Sequence, residues 1–166
     1  MAVFTSHSPQ IHHFLLKNRS NLNYLEWNMN AIPAVANPTI PNPKDLVWND
    51  TYEVFDLFRM SYDIAAAKRI LQAKKRLQIG TIDVSQVQQW IGDPGKLTIG
   101  VGIDWDKLER EWDSLDLSFP IIVATIKVGQ LFPIDGWHRL AKAKRAGIQT
   151  LPAVCLNRRD TCKIQL

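Results

Sequence analysis

Asp135, Gly136, Trp137, His138 and Arg139 put a carboxylate, a glycine, an imidazole and a guanidinium side by side. The apolar run LFPI precedes them and the helix-forming run LAKAKRAG follows. That order suits a strand ending at Asp135, a turn at Gly136 and a helix beginning at Trp137 or His138. The first N–H groups of a helix lack intrahelical acceptors and carry a partial positive charge, so they bind anions. Gly136 lets an anion approach the backbone closely, and Arg139 can grip a phosphate through two parallel bonds. His138 adds a further donor. Asp135 is placed to hold a divalent cation that bridges phosphates, or to take a proton from a nucleophile. The plainer reading is that Asp135 caps the helix and that His138 and Arg139 are surface residues.

The elements that must position this segment follow from apolar pattern and turn chemistry. Apolar runs predict strands over 121–126 and 131–134, joined as a hairpin around Val128 and Gly129. A helix over 137–146 closes at Gly147, and LPAVCL, residues 151–156, is a last strand. Upstream, TIDV at 81–84 is β-like and runs into a short helix ending near Ile91, and GDPGK is a turn. DWDKLEREWDSL reads as a helix capped by Asp104, with Trp105, Leu108, Trp112 and Leu115 on one face.

Before these elements, SYDIAAAKRILQAKKRLQ reads as one long helix capped by Ser61 and stopped by Gly80. Ala67, Ile70, Leu71 and Leu77 share one side, and Lys68, Arg69, Lys75 and Arg76 the other. A solvated face and a phosphate-backbone contact both fit that basic stripe. Residues 1–50 form a Pro- and Asn-rich arm that its aromatics, among them Tyr24, Trp27 and Trp48, tie to a folded body. The expected organisation is this arm, a helical extension over 51–78, and an α/β (α+β) domain with a small mixed sheet over 79–166.

Composition sets the class. The chain has 166 residues, 46% hydrophobic and 22% charged, which suits one globular domain with a core. Twenty Lys and Arg face 16 Asp and Glu, a net charge of +4 and a pI near 9.2, so a polyanionic partner is permitted. The first residues lack a signal-peptide pattern, and no apolar run approaches the roughly 18 residues of a membrane span. Cys155 and Cys162 read as reduced thiols, so a cytoplasmic protein with no membrane partner is expected.

Further candidates surround the central segment. Lys142, Lys144 and Arg145 on the expected motif helix, with Arg158 and Arg159 beyond the last strand, form a basic cluster that suits nucleic acid or solvent. Trp137 suits a core anchor or a base-stacking platform. Asp83, Asp104 and Asp106 are candidate second carboxylates for a metal at Asp135. His12 and His13 are adjacent, cannot share a helix face, and are assigned no metal.

Three blocks resemble a known superfamily in order and spacing. TIDVSQV, FPIIVATIKVGQLFPIDGWHR and LAKAKRAGIQTLPAV, within residues 79–156, look like the N-terminal domain of ParB-type partition proteins and like sulfiredoxin. The resemblance implies a nucleotide-binding fold, a nucleoside triphosphate (ATP or CTP) with magnesium as cofactors, and DNA as a further partner. It implies a nucleotide hydrolase or nuclease in DNA, plasmid or phage maintenance. The alternatives are a non-catalytic nucleotide- or DNA-binding module and a small-molecule kinase of the same fold. Gly136, His138 and Arg139 match the family's phosphate motif, and Asp135 matches an aspartate of its kinase-like members. Trp137 departs from it, standing where sulfiredoxin has its cysteine and ParB proteins a glutamate. The short stretch after the last strand leaves no room for a helix-turn-helix, so full partition function is not expected. Arg139 is expected to be the main phosphate ligand, with little effect on the stability of the free protein.

Overall fold

A computed structural model describes residues 37–49, 51–57, 60–92, 101–127 and 130–166. Tyr24, Trp27, His12, His13, most of the GDPGK turn and the hairpin connection at 128–129 lie outside the described residues.

The architecture is α+β with two antiparallel-containing sheets. β1 (Val54–Leu57) and β2 (Met60–Asp63) form a two-stranded ribbon in which Val54 faces Asp63 and Leu57 faces Met60. α1 (Ile64–Gln72) leaves β2 directly, and its N-cap is Asp63, whose carboxylate accepts the Ala66 N–H at 2.8 Å. The expected cap at Ser61 is therefore corrected. Ser61 is held in the ribbon ladder opposite Asp56 and donates its hydroxyl to that carboxylate at 2.5 Å.

The expected length of this helix is also corrected. It stops at Gln72, and Gly80 lies in β3 opposite Ala153. Lys68 and Arg69 are helical, whereas Lys75 and Arg76 fall in the bend that follows, so the four cations do not form one helical stripe.

The main sheet has four strands in the order β3 (Ile79–Asp83), β6 (Thr150–Leu156), β4 (Ile121–Lys127), β5 (Gln130–Asp135). β6 runs antiparallel to β3 and parallel to β4, while β4 and β5 are an antiparallel pair, so the sheet is mixed as expected. β5 is an edge strand, which accommodates Pro133 without a lost ladder bond. Its end is irregular: Ile122 pairs with Asp135 but Val123 pairs with Pro133, leaving Ile134 as an extra residue. Such a bulge bends the strand and re-aims the residues beyond it.

Helices fill the connections. α2 (Val84–Val87) is capped by Asp83 and continues into a 3-10 turn, Gln88–Trp90. α3 (Trp105–Arg110) is capped by Asp104 as expected, yet ends before Trp112 and Leu115. The main-chain carbonyls of those two residues accept instead from Lys142 Nζ. α4 (Trp137–Ala146) follows β5 after one residue and closes at Gly147, φ 71°. α5 (Arg158–Ile164), unforeseen from the pattern, is capped by Asn157.

One core joins all of this. Ile121, Ile122, Ile134, Leu140, Leu151, Val154 and Leu156 are shut from solvent, and Leu46, Trp48, Leu57, Tyr62 and Leu71 belong to the same cluster. The end of the arm is thus packed, as its aromatic content suggests. Trp48 meets Phe119 edge-on at 4.9 Å. The C-terminus also closes onto the ribbon, with the Leu166 N–H donating to the Ser61 carbonyl at 2.9 Å.

Candidate phosphate site at the start of α4

Strand β5, a left-handed glycine and α4 occur in the expected sequence. Gly136 has φ 93°, a conformation that residues with a Cβ rarely adopt. The reason for glycine here is packing as well as φ. A Cβ would clash with Ile121 and lie 2.7 Å from Arg139 Nη2. The space that a Cβ would take at Gly136 is thus occupied by Ile121 and the Arg139 guanidinium.

Asp135 is engaged on both oxygens. Oδ1 accepts the Gly136 N–H at 2.7 Å, and Oδ2 lies 3.5 Å from Arg139 Nη2, an i,i+4 ion pair with both side chains mostly buried. The guanidinium also lies over the Phe119 ring, 5.2 Å from its centroid. Burial lowers the Arg139 pKa from its ordinary value, and the charges of Asp135, Asp116 and Glu53 oppose that drop. Arg139 is therefore a mostly buried cation paired with Asp135 and packed on Phe119, which corrects the picture of a surface arginine with no structural partner.

Trp137 is a core anchor. It is only 6% exposed, lies nearly parallel to Phe55 of β1 at 6.2 Å, and packs against Phe132 at 5.6 Å. Trp90 closes the group by meeting Phe132 edge-on. A base cannot stack on the face that Phe55 covers, so the platform reading of Trp137 is corrected for this conformation.

Unpartnered side-chain nitrogens fall on consecutive residues here. Among the described residues, Trp137 Nε1, His138 Nε2 and Arg139 Nε are buried side-chain nitrogens without a hydrogen-bond partner, on three consecutive residues. A buried polar group without a partner costs about 1–3 kcal/mol, so such groups are rare. The main chain repeats the pattern. α1, α2, α3 and α5 each have a side-chain cap, from Asp63, Asp83, Asp104 and Asn157, whereas α4 has none and no acid in its first turn. Among the described residues, the first turn of α4 gathers more donors than acceptors.

The other expected site residues have separate places. Asp83 and Asp104 are occupied as caps, and Asp106 is an exposed residue of the first turn of α3. Among the described residues no group of three or more His, Cys, Asp or Glu is arranged to hold a metal ion. Lys142 donates to the Trp112 and Leu115 carbonyls, and Lys144 Nζ donates to the Ile91 carbonyl at 2.9 Å. Arg145 pairs with Glu109 and stacks over Trp112. Lys142 and Arg145 thus fasten the segment around α3 to α4, and Lys144 fastens the end of the 3-10 turn after α2, so all three have partners within the fold and do not form a free basic face. Lys68 pairs with Glu53 at 3.3 Å. Arg69, Lys75 and Arg76 are exposed.

Phe55, Phe119, Asp116 and Glu53 bear on the site from segments that the sequence pattern does not connect to it. Only the Asp135–Arg139 pair has a local signal, the i,i+4 spacing across a helix start. No helix among the described residues is long and apolar enough to cross a membrane. No family model matches the sequence, and neither a curated protein nor a solved structure matches it significantly.

Proposed function

We propose that the start of α4 binds a phosphate group of a nucleotide and that the protein acts as a nucleotide-binding module. The observation that carries this reading is the set of nitrogens on Trp137, His138 and Arg139 without a partner among the described residues, next to a helix start without a side-chain cap. An anion with several oxygens is the ligand class that answers clustered N–H donors. Resemblance of the flanking blocks to nucleotide-binding ParB and sulfiredoxin domains points the same way and suggests ATP or CTP. A link to DNA or plasmid maintenance belongs to that resemblance.

Binding without chemistry is preferred over hydrolysis because of Asp135. A general base must be aimed at its nucleophile, and both Asp135 oxygens are oriented by groups of this chain, although each keeps a second lone pair. Asp135 has one oxygen on the Gly136 N–H and the other beside Arg139. With a triphosphate, Asp135 and the phosphate oxygens would be the ligands for magnesium, which would supply charge neutralisation. The test is a thermal-shift screen of nucleoside di- and triphosphates with and without magnesium, with phosphate release followed in parallel. A raised melting temperature without turnover is expected. No shift with any of them would refute the reading, and steady phosphate release would replace the module by a hydrolase.

A further inference from the structure

Five of the exposed cations lie on three segments that pack near one another, and none of the five belongs to the α4 site. Lys44 lies in the 3-10 turn Pro43–Asp45, Lys75 and Arg76 in the bend after α1, and Arg158 and Arg159 in the first turn of α5. All five are exposed, and none makes a side-chain hydrogen bond or ion pair among the described residues.

Packing brings these three segments together. A cleft of about 140 Å³ opens between the turn and the end of α1, lined by Lys44, Leu46, Trp48, Gln72, Lys74 and Lys75. Lys74 Nζ lies 3.0 Å from Asp160 Oδ2, which anchors the start of α5 beside the bend. Arg158 and Arg159 immediately precede Asp160 in the first turn of α5, so their backbone is carried to the same corner. Asp160 is already shared by Lys74 and Lys163. It cannot neutralise the others as well.

Five unpaired cations on three converging segments repel one another, and a chain of anions relieves that repulsion. One phosphate cannot meet all five, whereas a phosphodiester backbone offers a charge at every nucleotide. We infer that this corner, from Lys44 through Lys75 and Arg76 to Arg158 and Arg159, binds the backbone of a nucleic acid. The contact is to phosphates and carries no base readout of its own. It uses none of the residues at the start of α4 and so stands or falls apart from the nucleotide reading.

The test is fluorescence anisotropy of the full chain with labelled single-stranded and duplex DNA of about 20 nucleotides, between about 50 and 200 mM salt. Micromolar or tighter binding at the lower salt is expected, with a log–log salt slope of roughly −3 to −5, the value for about five neutralised phosphates. Changing Lys44, Lys75, Arg76, Arg158 and Arg159 together to Gln should lower affinity at least about tenfold and flatten that slope. The nucleotide-induced thermal shift should persist in this variant, and Arg139→Gln should leave DNA binding in place. Arg158→Gln with Arg159→Gln alone should give a partial loss, which keeps the test valid should the fivefold variant lose its fold. Wild-type affinity in both variants, or no DNA binding at the lower salt, overturns the inference. So does poly-glutamate displacing DNA at equal charge concentration, which would make the surface a dock for acidic peptides.

Discussion

Phe55 on the β1–β2 ribbon lies nearly face to face with Trp137 on α4, their ring centres 6.2 Å apart and their planes 16° from parallel. That contact makes the N-terminal extension part of the site's wall, because the ribbon covers the residue at which α4 begins. Phe55 is half-buried, so Phe55→Ala should destabilise by about 2–3 kcal/mol, below the cost for a fully buried phenylalanine. Phe55→Leu should recover more than half of the loss. Urea unfolding would read both, and a wild-type midpoint for Phe55→Ala would mean that the ribbon is not a working part of the core.

Gly136 and Gly147 both have positive φ but differ in surroundings. A Cβ at Gly136 meets Ile121 and Arg139, whereas one at Gly147 meets nothing within 4 Å. Gly147→Ala should therefore cost about 1 kcal/mol, from backbone conformation alone. Gly136→Ala should cost roughly 2–4 kcal/mol, because overpacking adds to it. Equal melting temperatures for the two variants would show that Ile121 does not enforce the glycine.

Stability at low pH should depend on Asp160. Burial pushes its pKa up, but hydrogen bonds and charge from Lys74 and Lys163 outweigh that and hold it below the ordinary value. A carboxylate with a depressed folded pKa stabilises the fold above its unfolded pKa near 3.9, and that contribution is lost as pH falls through the folded value. Asp160→Asn should thus lower the melting temperature at neutral pH. The gap from wild type should narrow below about pH 4. A gap that stays constant with pH would contradict the role of the Lys74–Asp160 pair.

Lys142 illustrates a charge with a structural task. Its ammonium serves the Trp112 and Leu115 carbonyls and lies over the Trp112 ring. Lys142→Met keeps the aliphatic stem but leaves those carbonyls without their donor, so a loss of about 1–3 kcal/mol is expected. Hydrogen exchange should show faster exchange around 111–115 in the variant. Unchanged stability and exchange would return Lys142 to the solvent-facing residues.

Legibility in the sequence followed the range of the interactions involved. β4, β5, α4 and β6 were readable because apolar runs and two glycines mark them locally. The start of the helix expected over 61–78 is ambiguous in sequence because Ser61 and Asp63 are both capping residue types, and only pairing with β1 decides between them. α5 has a cap signal in Asn157 and an acid in its first turn in Asp160, but at seven residues it is too short to show a helical period. At the site, the strand–glycine–helix order was visible in residues 131–147. The burial of Arg139 and Trp137 was not, because it comes from Phe119 and Phe55, remote in sequence from both.

The central claim is that the start of α4 is an anion site with Arg139 as its main side-chain ligand. Since Arg139 also pairs with Asp135, Arg139→Ala should destabilise the free protein, and Arg139→Lys is the gentler variant because it keeps a cation beside that carboxylate. Isothermal titration of wild type and both variants with the best nucleotide from the thermal screen, at a temperature where all are folded, is the most direct measurement. Arg139→Ala should lose roughly 2–4 kcal/mol of binding, about 30- to 1000-fold in affinity, and Arg139→Lys should recover only part of it. Equal affinities across the three proteins would contradict the account.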